Sequence, residues 1–202
     1  MKGIFCLEGF WYGDHRDKTS MFPVLDLVHR YNKMPFIHHR CATVEEFQFS
    51  ISRWRNKTFH KKYPLLYLGF HGHPGLIQVG KQTITLDDLA SLLEDKCEGV
   101  VIHFGCCSTL DIDKRLLQSF MQKTRSVAVM GYKEEVPWLL SSSFEILLLE
   151  SLSNHPFDSK GVKQIYKQVM EEYGTQARKL DFRFVPNERL HFPRRRVSRP
   201  RA

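Results

Sequence analysis

Two short stretches of this 202-residue chain carry the residue types a nucleophilic enzyme uses. One is His71-Gly72-His73, the other Gly105-Cys106-Cys107-Ser108-Thr109, and each follows an apolar run. A cysteine nucleophile needs a base within hydrogen-bond reach and surroundings that favour the thiolate. His71 and Cys107 meet that need if their strands are neighbours. Small residues let backbone N–H groups close on a developing oxyanion, so the Gly72 and Cys107 amides are the expected donors. A helix directly after Cys107 would add the partial positive charge of its N-terminus. Successive side chains of extended backbone point to opposite sides, so Cys106 is the one expected in the core.

Each of these residues also has a plainer reading. Cysteine is among the most buried residue types, and a histidine at a strand end can be a satisfied structural one. Glu8 orients His71, lines a substrate pocket, or simply ends a strand at solvent. His73 is an exposed loop residue or a substrate contact. His71, His73, His103, Cys106 and Cys107 are all permissible zinc ligands, but His-x-His and Cys-Cys are poor tetrahedral spacings, and no metal or other cofactor is expected.

The elements that must position these residues alternate between short apolar runs and amphipathic segments, the pattern of a parallel sheet covered by helices. Strands are expected over 3–7, 35–38, 64–70, 99–104 and 126–130, with a further edge strand over 181–185. The run at 64–70 is apolar on both faces, as an interior parallel strand requires. Helices are expected over 21–31, from Thr43 onward, and over 86–96, 113–123, 139–152 and 161–180. Thr43-Val44-Glu45-Glu46 is a capping box. Asp113 and Asp111 are candidate caps for the helix after Cys107. Residues 76–86 alternate around Gly80-Lys81 like a small hairpin. The expectation is one α/β domain over 1–190, a three-layer sandwich whose mostly parallel sheet is flanked by helices. In such sheets ligands gather at the carboxyl ends of the strands, where strand order reverses.

Composition narrows the function classes. Apolar and charged fractions of 42% and 26% are those of an ordinary globular chain rather than a disordered one. No apolar run reaches membrane-spanning length, and the opening residues are too briefly apolar for a signal peptide, so a cytoplasmic protein with no membrane partner is expected. Five cysteines without CxxC spacing then read as reduced thiols. Five of the net eight positive charges sit in residues 192–202, at Arg194, Arg195, Arg196, Arg199 and Arg201, which leaves a nearly neutral body. Residues 191–202 are expected to be a disordered basic tail. Without interleaved aromatics they make a weak case for nucleic acid. No strand is followed by a glycine-rich phosphate loop.

The run Tyr67-Leu68-Gly69-Phe70-His71-Gly72 resembles the His-Gly motif of caspase-like peptidases, and Val100 to Thr109 resembles the strand that delivers their nucleophile. In the CHAT branch that strand ends Ser-Ala-Cys-x-Thr. On that pattern Cys106 takes the small-residue place, Cys107 the nucleophile's and Thr109 the threonine's, and His71 rather than His73 is the catalytic histidine. The resemblance covers roughly residues 3–150, mostly as topology, and implies strand order 2-1-3-4 followed by 5 and 6. The Gln-Ala-Cys signature of true caspases is missing, as is their long processed linker. The chain resembles a short bacterial or archaeal offshoot of the CHAT type.

The function this implies is a cysteine endopeptidase acting on a protein or peptide. Glu134 and Glu135, beyond the fifth strand, are candidate substrate contacts beside Glu8 and His73, and tilt the expected specificity toward basic residues. Two other readings use the same crevice: a catalytically silent binding or signalling module, and a small-molecule sensor. Oligomeric state is left open by the sequence.

Overall fold

The computed structural model describes residues 2–12 and 16–188. The arginine-rich tail and the domain boundary expected at residue 190 lie outside them. The elements run β1 (Ile4–Glu8), α1 (Phe22–Asn32), β2 (Phe36–Arg40), α2 (Val44–Trp54), α3 (Lys57–Lys62), β3 (Leu65–Gly69), β4 (His71–His73), β5 (Leu76–Val79), β6 (Gln82–Thr85), α4 (Leu86–Leu92), β7 (Val101–Phe104), α5 (Lys114–Thr124), β8 (Ala128–Tyr132), α6 (Trp138–Asn154), α7 (Ser159–Lys179) and β9 (Phe182–Pro186).

Six strands form one sheet in the order β2-β1-β3-β7-β8-β9. All neighbours are parallel except β9, which runs antiparallel to β8. Numbered among themselves, the sheet strands stand 2-1-3-4-5-6, the expected order. The chain is therefore α/β, a mostly parallel sheet between two layers of helices. No helix among the described residues is long and apolar enough to cross a membrane.

Alternation along the strands sorts the core into two halves. Leu66, Leu68, Ile102, Phe104 and Val129 face α2, α4 and α5, through Phe47, Trp54, Leu89, Leu117 and Phe120. Ile4, Cys6, Leu65, Tyr67, Val101 and Met130 face α1, α6 and α7. Being buried on both sides is why the central strands read as apolar runs, broken in β7 only by His103.

Local sequence starts several helices as expected. At α2, the Thr43 hydroxyl accepts from the Glu46 amide while the Glu46 carboxylate accepts from the Thr43 amide, both at 3.3 Å. A second reciprocal pair, Thr85 and Asp88, not singled out in the sequence, starts α4. Asp113 caps α5 by accepting from the Arg115 amide.

Two elements escape the sequence reading. Helix α3 has no side-chain cap and no apolar periodicity, and forms as a single short turn region behind α2. Strand β4 is His-Gly-His, residues with little strand preference, and exists because β5 offers it an antiparallel partner. A correction concerns the helix after Cys107. It begins only at Lys114, so no helix N-terminus abuts the thiol. The intervening 108–112 loop is held by other means. Ser108 adopts a left-handed conformation at φ 57°, and the Arg183 guanidinium on β9 donates to the Leu110 and Ile112 carbonyls.

Candidate active site at the carboxyl ends of the central strands

Strands β3 and β7 are hydrogen-bonded neighbours, Leu68 opposite Phe104, so the segments following them emerge side by side. His71 and Cys107 belong to those two segments. What binds them is the backbone at Gly72. A Cβ there would lie 2.4 Å from the Cys107 carbonyl oxygen and 2.1 Å from the Thr109 hydroxyl. Only glycine allows the histidine segment to press this closely on the cysteine segment. The Thr109 hydroxyl donates to the Leu76 carbonyl at 3.2 Å, and the Gly75 amide donates to the Thr109 carbonyl at 3.1 Å, tying the tip of the β4–β5 hairpin to the cysteine loop.

The two adjacent cysteines have opposite environments. Cys106 is fully buried, and its thiol donates to the Leu68 carbonyl at 3.0 Å. Burial pushes that thiol up to about 12, which leaves it protonated and inert. Cys6, Cys41 and Cys97 are buried as well, and Cys107 alone among the five is partly exposed. Its amide has no acceptor among the described residues and is free to donate to a ligand.

His71 is exposed, and its Nε2 lies 2.6 Å from the backbone carbonyl oxygen of Trp11. A carbonyl offers only lone pairs, so Nε2 carries the hydrogen and Nδ1 is the nitrogen with a free lone pair. The Trp11 indole also meets the imidazole edge to face, with centroids 5.3 Å apart. One residue from the loop after β1 thus fixes both the tautomer and the ring plane of His71.

Trp11 is itself held by Glu8. Glu8 is fully buried at the end of β1 and accepts four hydrogen bonds. Trp11 Nε1 and the Met21 amide, both at 2.8 Å, reach Oε1, while the Ser20 hydroxyl and His38 Nε2, both at 2.6 Å, reach Oε2. Burial works to raise the Glu8 carboxyl, but donation from His38, Ser20, Trp11 and Met21 outweighs it and holds the group below the ordinary carboxylate range. Glu8 neither touches His71 nor reaches solvent, which corrects its reading as a substrate contact. It reaches the histidine through Trp11.

Trp11 borders two cavities. One, of about 200 Å³, is bordered by Phe10, Trp11, His71 and Gln78. The other, of about 30 Å³, is bordered by Trp11, Tyr67, Cys107, Tyr132, Trp138 and Glu145. Trp11 and Trp138, both on its wall, meet edge to face, centroids 5.0 Å apart. His73, Glu134 and Glu135 are exposed and border neither cavity. The carboxylate beside Cys107 is instead Glu145, on α6. Its signal in the sequence was being the single charge in 138–149, a stretch otherwise made of apolar residues and three serines. The sequence signal at Trp11 is weaker: the cluster Phe10-Trp11-Tyr12 at a loop start reads either as a wall of the crevice or as local packing, and Trp11 borders both cavities. No three His, Cys, Asp or Glu side chains among the described residues converge as a metal ion would need.

A search of curated proteins finds no match to the chain. Residues 1–185 match DUF6642, described as a family of unknown function. The match spans nearly the whole of the described structure, and the chain belongs to that family.

Proposed function

We propose that this chain is a cysteine endopeptidase of the caspase/CHAT type, with Cys107 as nucleophile and His71 as its acid–base partner. The observation that carries this reading is the state of His71. Its Nε2–H is committed to the Trp11 carbonyl, which leaves Nδ1 as the basic nitrogen, while Gly72 packs its segment onto the backbone of the one partly exposed cysteine.

The chemistry follows from these groups. Nδ1 takes the thiol proton and the Cys107 sulfur attacks the scissile carbonyl carbon. The oxyanion that forms accepts hydrogen bonds from the Cys107 and Gly72 amides. As the C–N bond breaks, the imidazolium returns its proton to the departing amine, leaving a thioester on Cys107. Water, deprotonated by Nδ1, then attacks the thioester, releasing the carboxylic product and restoring the thiol. No cofactor enters this sequence. Five unpaired thiols suit a reducing compartment, and we assign the protein to the cytoplasm on that ground.

A peptidyl acyloxymethyl ketone carrying an affinity handle tests the assignment. It labels Cys107 in the wild-type protein, and Cys107→Ala and His71→Ala each lose at least 100-fold of the labelling rate, about the size of one acid–base contribution. Labelling that persists in Cys107→Ala, or that vanishes in Cys106→Ala alone, overturns it.

A further inference from the structure

The cavity beside Cys107 ends on a carboxylate that the fold leaves incompletely bonded. Glu145 is 2% exposed. Both of its donors, His103 Nε2 at 2.7 Å and the Tyr132 hydroxyl at 2.6 Å, are on Oε1. Oε2 is buried and has no partner. An unpartnered buried carboxylate oxygen is costly, and native proteins keep such groups where something else supplies the bond.

The neighbours do not neutralise this charge. No lysine or arginine pairs with Glu145 among the described residues. His103 Nδ1 also lacks a partner, so a second N–H on that imidazole would be buried without an acceptor. A neutral ring donating from Nε2 satisfies the geometry, so the imidazole brings no compensating positive charge to the carboxyl group. Burial, then the Glu145 charge, push the Tyr132 phenol far above its ordinary range, so it too remains a neutral donor.

The walls match the rest of a basic side chain. Trp11 and Trp138 supply indole faces, and Val136 and Met21 supply apolar surface for a methylene stem. Gly105 lies on the same wall, where a Cβ would stand 2.3 Å from the Tyr67 hydroxyl oxygen, so its lack of a side chain keeps that wall flat. At about 30 Å³ the cavity is a slot. A basic side chain entering it displaces Val136 and Trp138, which come from the irregular stretch before α6 and its first residue rather than from the sheet.

We infer that this slot is the specificity pocket for a lysine or arginine side chain of the peptide ligand, with Glu145 Oε2 as its anionic floor. Resting on the peptidase reading, this deepens it by naming the substrate class, and it replaces Glu134 and Glu135 as the source of basic specificity.

Two measurements keep the inference separable from the peptidase assignment. The first compares acyloxymethyl ketones that differ only in the residue next to the reactive carbonyl: arginine, lysine, norleucine and aspartate. Arginine or lysine labels Cys107 at least 30-fold faster than norleucine, and in Glu145→Gln that ratio falls toward unity. A ratio within one variant is insensitive to partial unfolding. The second titrates the Cys107→Ala protein with agmatine, following tryptophan fluorescence, since two of the three tryptophans border the slot. Saturable quenching that Glu145→Gln abolishes supports the pocket. Labelling of Cys107 led by norleucine or aspartate overturns the basic pocket and leaves the peptidase. Agmatine binding without labelling of Cys107 by any ketone keeps the pocket and overturns the peptidase. Absence of both removes both.

Discussion

Two buried carboxylates lie on the α1/α6 side of the sheet, and they are finished to different degrees. Glu8 has two donors on each oxygen. Glu145 has two donors on one oxygen and none on the other. Burial is nearly equal, at 0% and 2% exposure, so the difference is not one of access to water. It lies in what each carboxylate is for. A buried charge whose every lone-pair direction is met fixes its surroundings, and Glu8 does this for Trp11, hence for His71. A buried charge with one bare oxygen beside a cavity has bonding capacity in reserve.

That contrast predicts a ranking of stability losses. Glu8→Leu removes four hydrogen bonds and strands two obligate donors, Trp11 Nε1–H and the Met21 amide. It costs about 3–5 kcal/mol, a fall in Tm of roughly 10 °C or more for a chain of this length, measured by thermal denaturation. Labelling of Cys107 falls with it even at temperatures where the variant is folded, because Trp11 is no longer held. Acid acts on the same group. The folded-state carboxyl of Glu8 is held below its ordinary value of 4.5, so its contribution is complete above that value and is lost as pH falls through the lower folded value. Stability measured from pH 6 down to pH 3 therefore declines in the wild type with a component that Glu8→Leu lacks.

Glu145→Leu removes two hydrogen bonds rather than four, and costs less, about 2 kcal/mol. If denaturant melts show it to be as damaging as Glu8→Leu, the contrast between the two carboxylates is wrong. The smallest effect belongs to Tyr132→Phe, which removes one donor from Oε1 and costs about 1 kcal/mol. It leaves the charge in place, so the preference for arginine over norleucine persists in that variant. Its loss there would mean that the phenol, rather than the carboxylate, reads the ligand.

The sheet was legible in the chain because burial on both faces leaves a plain trace. Residues 64–70 are apolar without interruption and 99–104 are apolar but for His103, and such runs between amphipathic helices leave few arrangements open. Alternation likewise separates Cys106 from Cys107. The capping box at Thr43 shows that a local pair three residues apart is also within reach of reading. Strand β4 was not, because His-Gly-His has no strand preference and takes that form from a partner.

What the amino-acid order determined by itself is therefore the layered α/β plan and the two segments, at His71 and Cys107, that emerge from adjacent strands. Tertiary structure alone decided which groups surround them. Trp11 reaches His71 across 60 positions of chain, and Glu145 enters the Cys107 slot from a helix whose periodicity says only that it is buried. Periodicity records which side of an element avoids water. The atom a buried side chain meets is set by how the elements pack, and the bare oxygen of Glu145 exists only once α6 lies on the sheet.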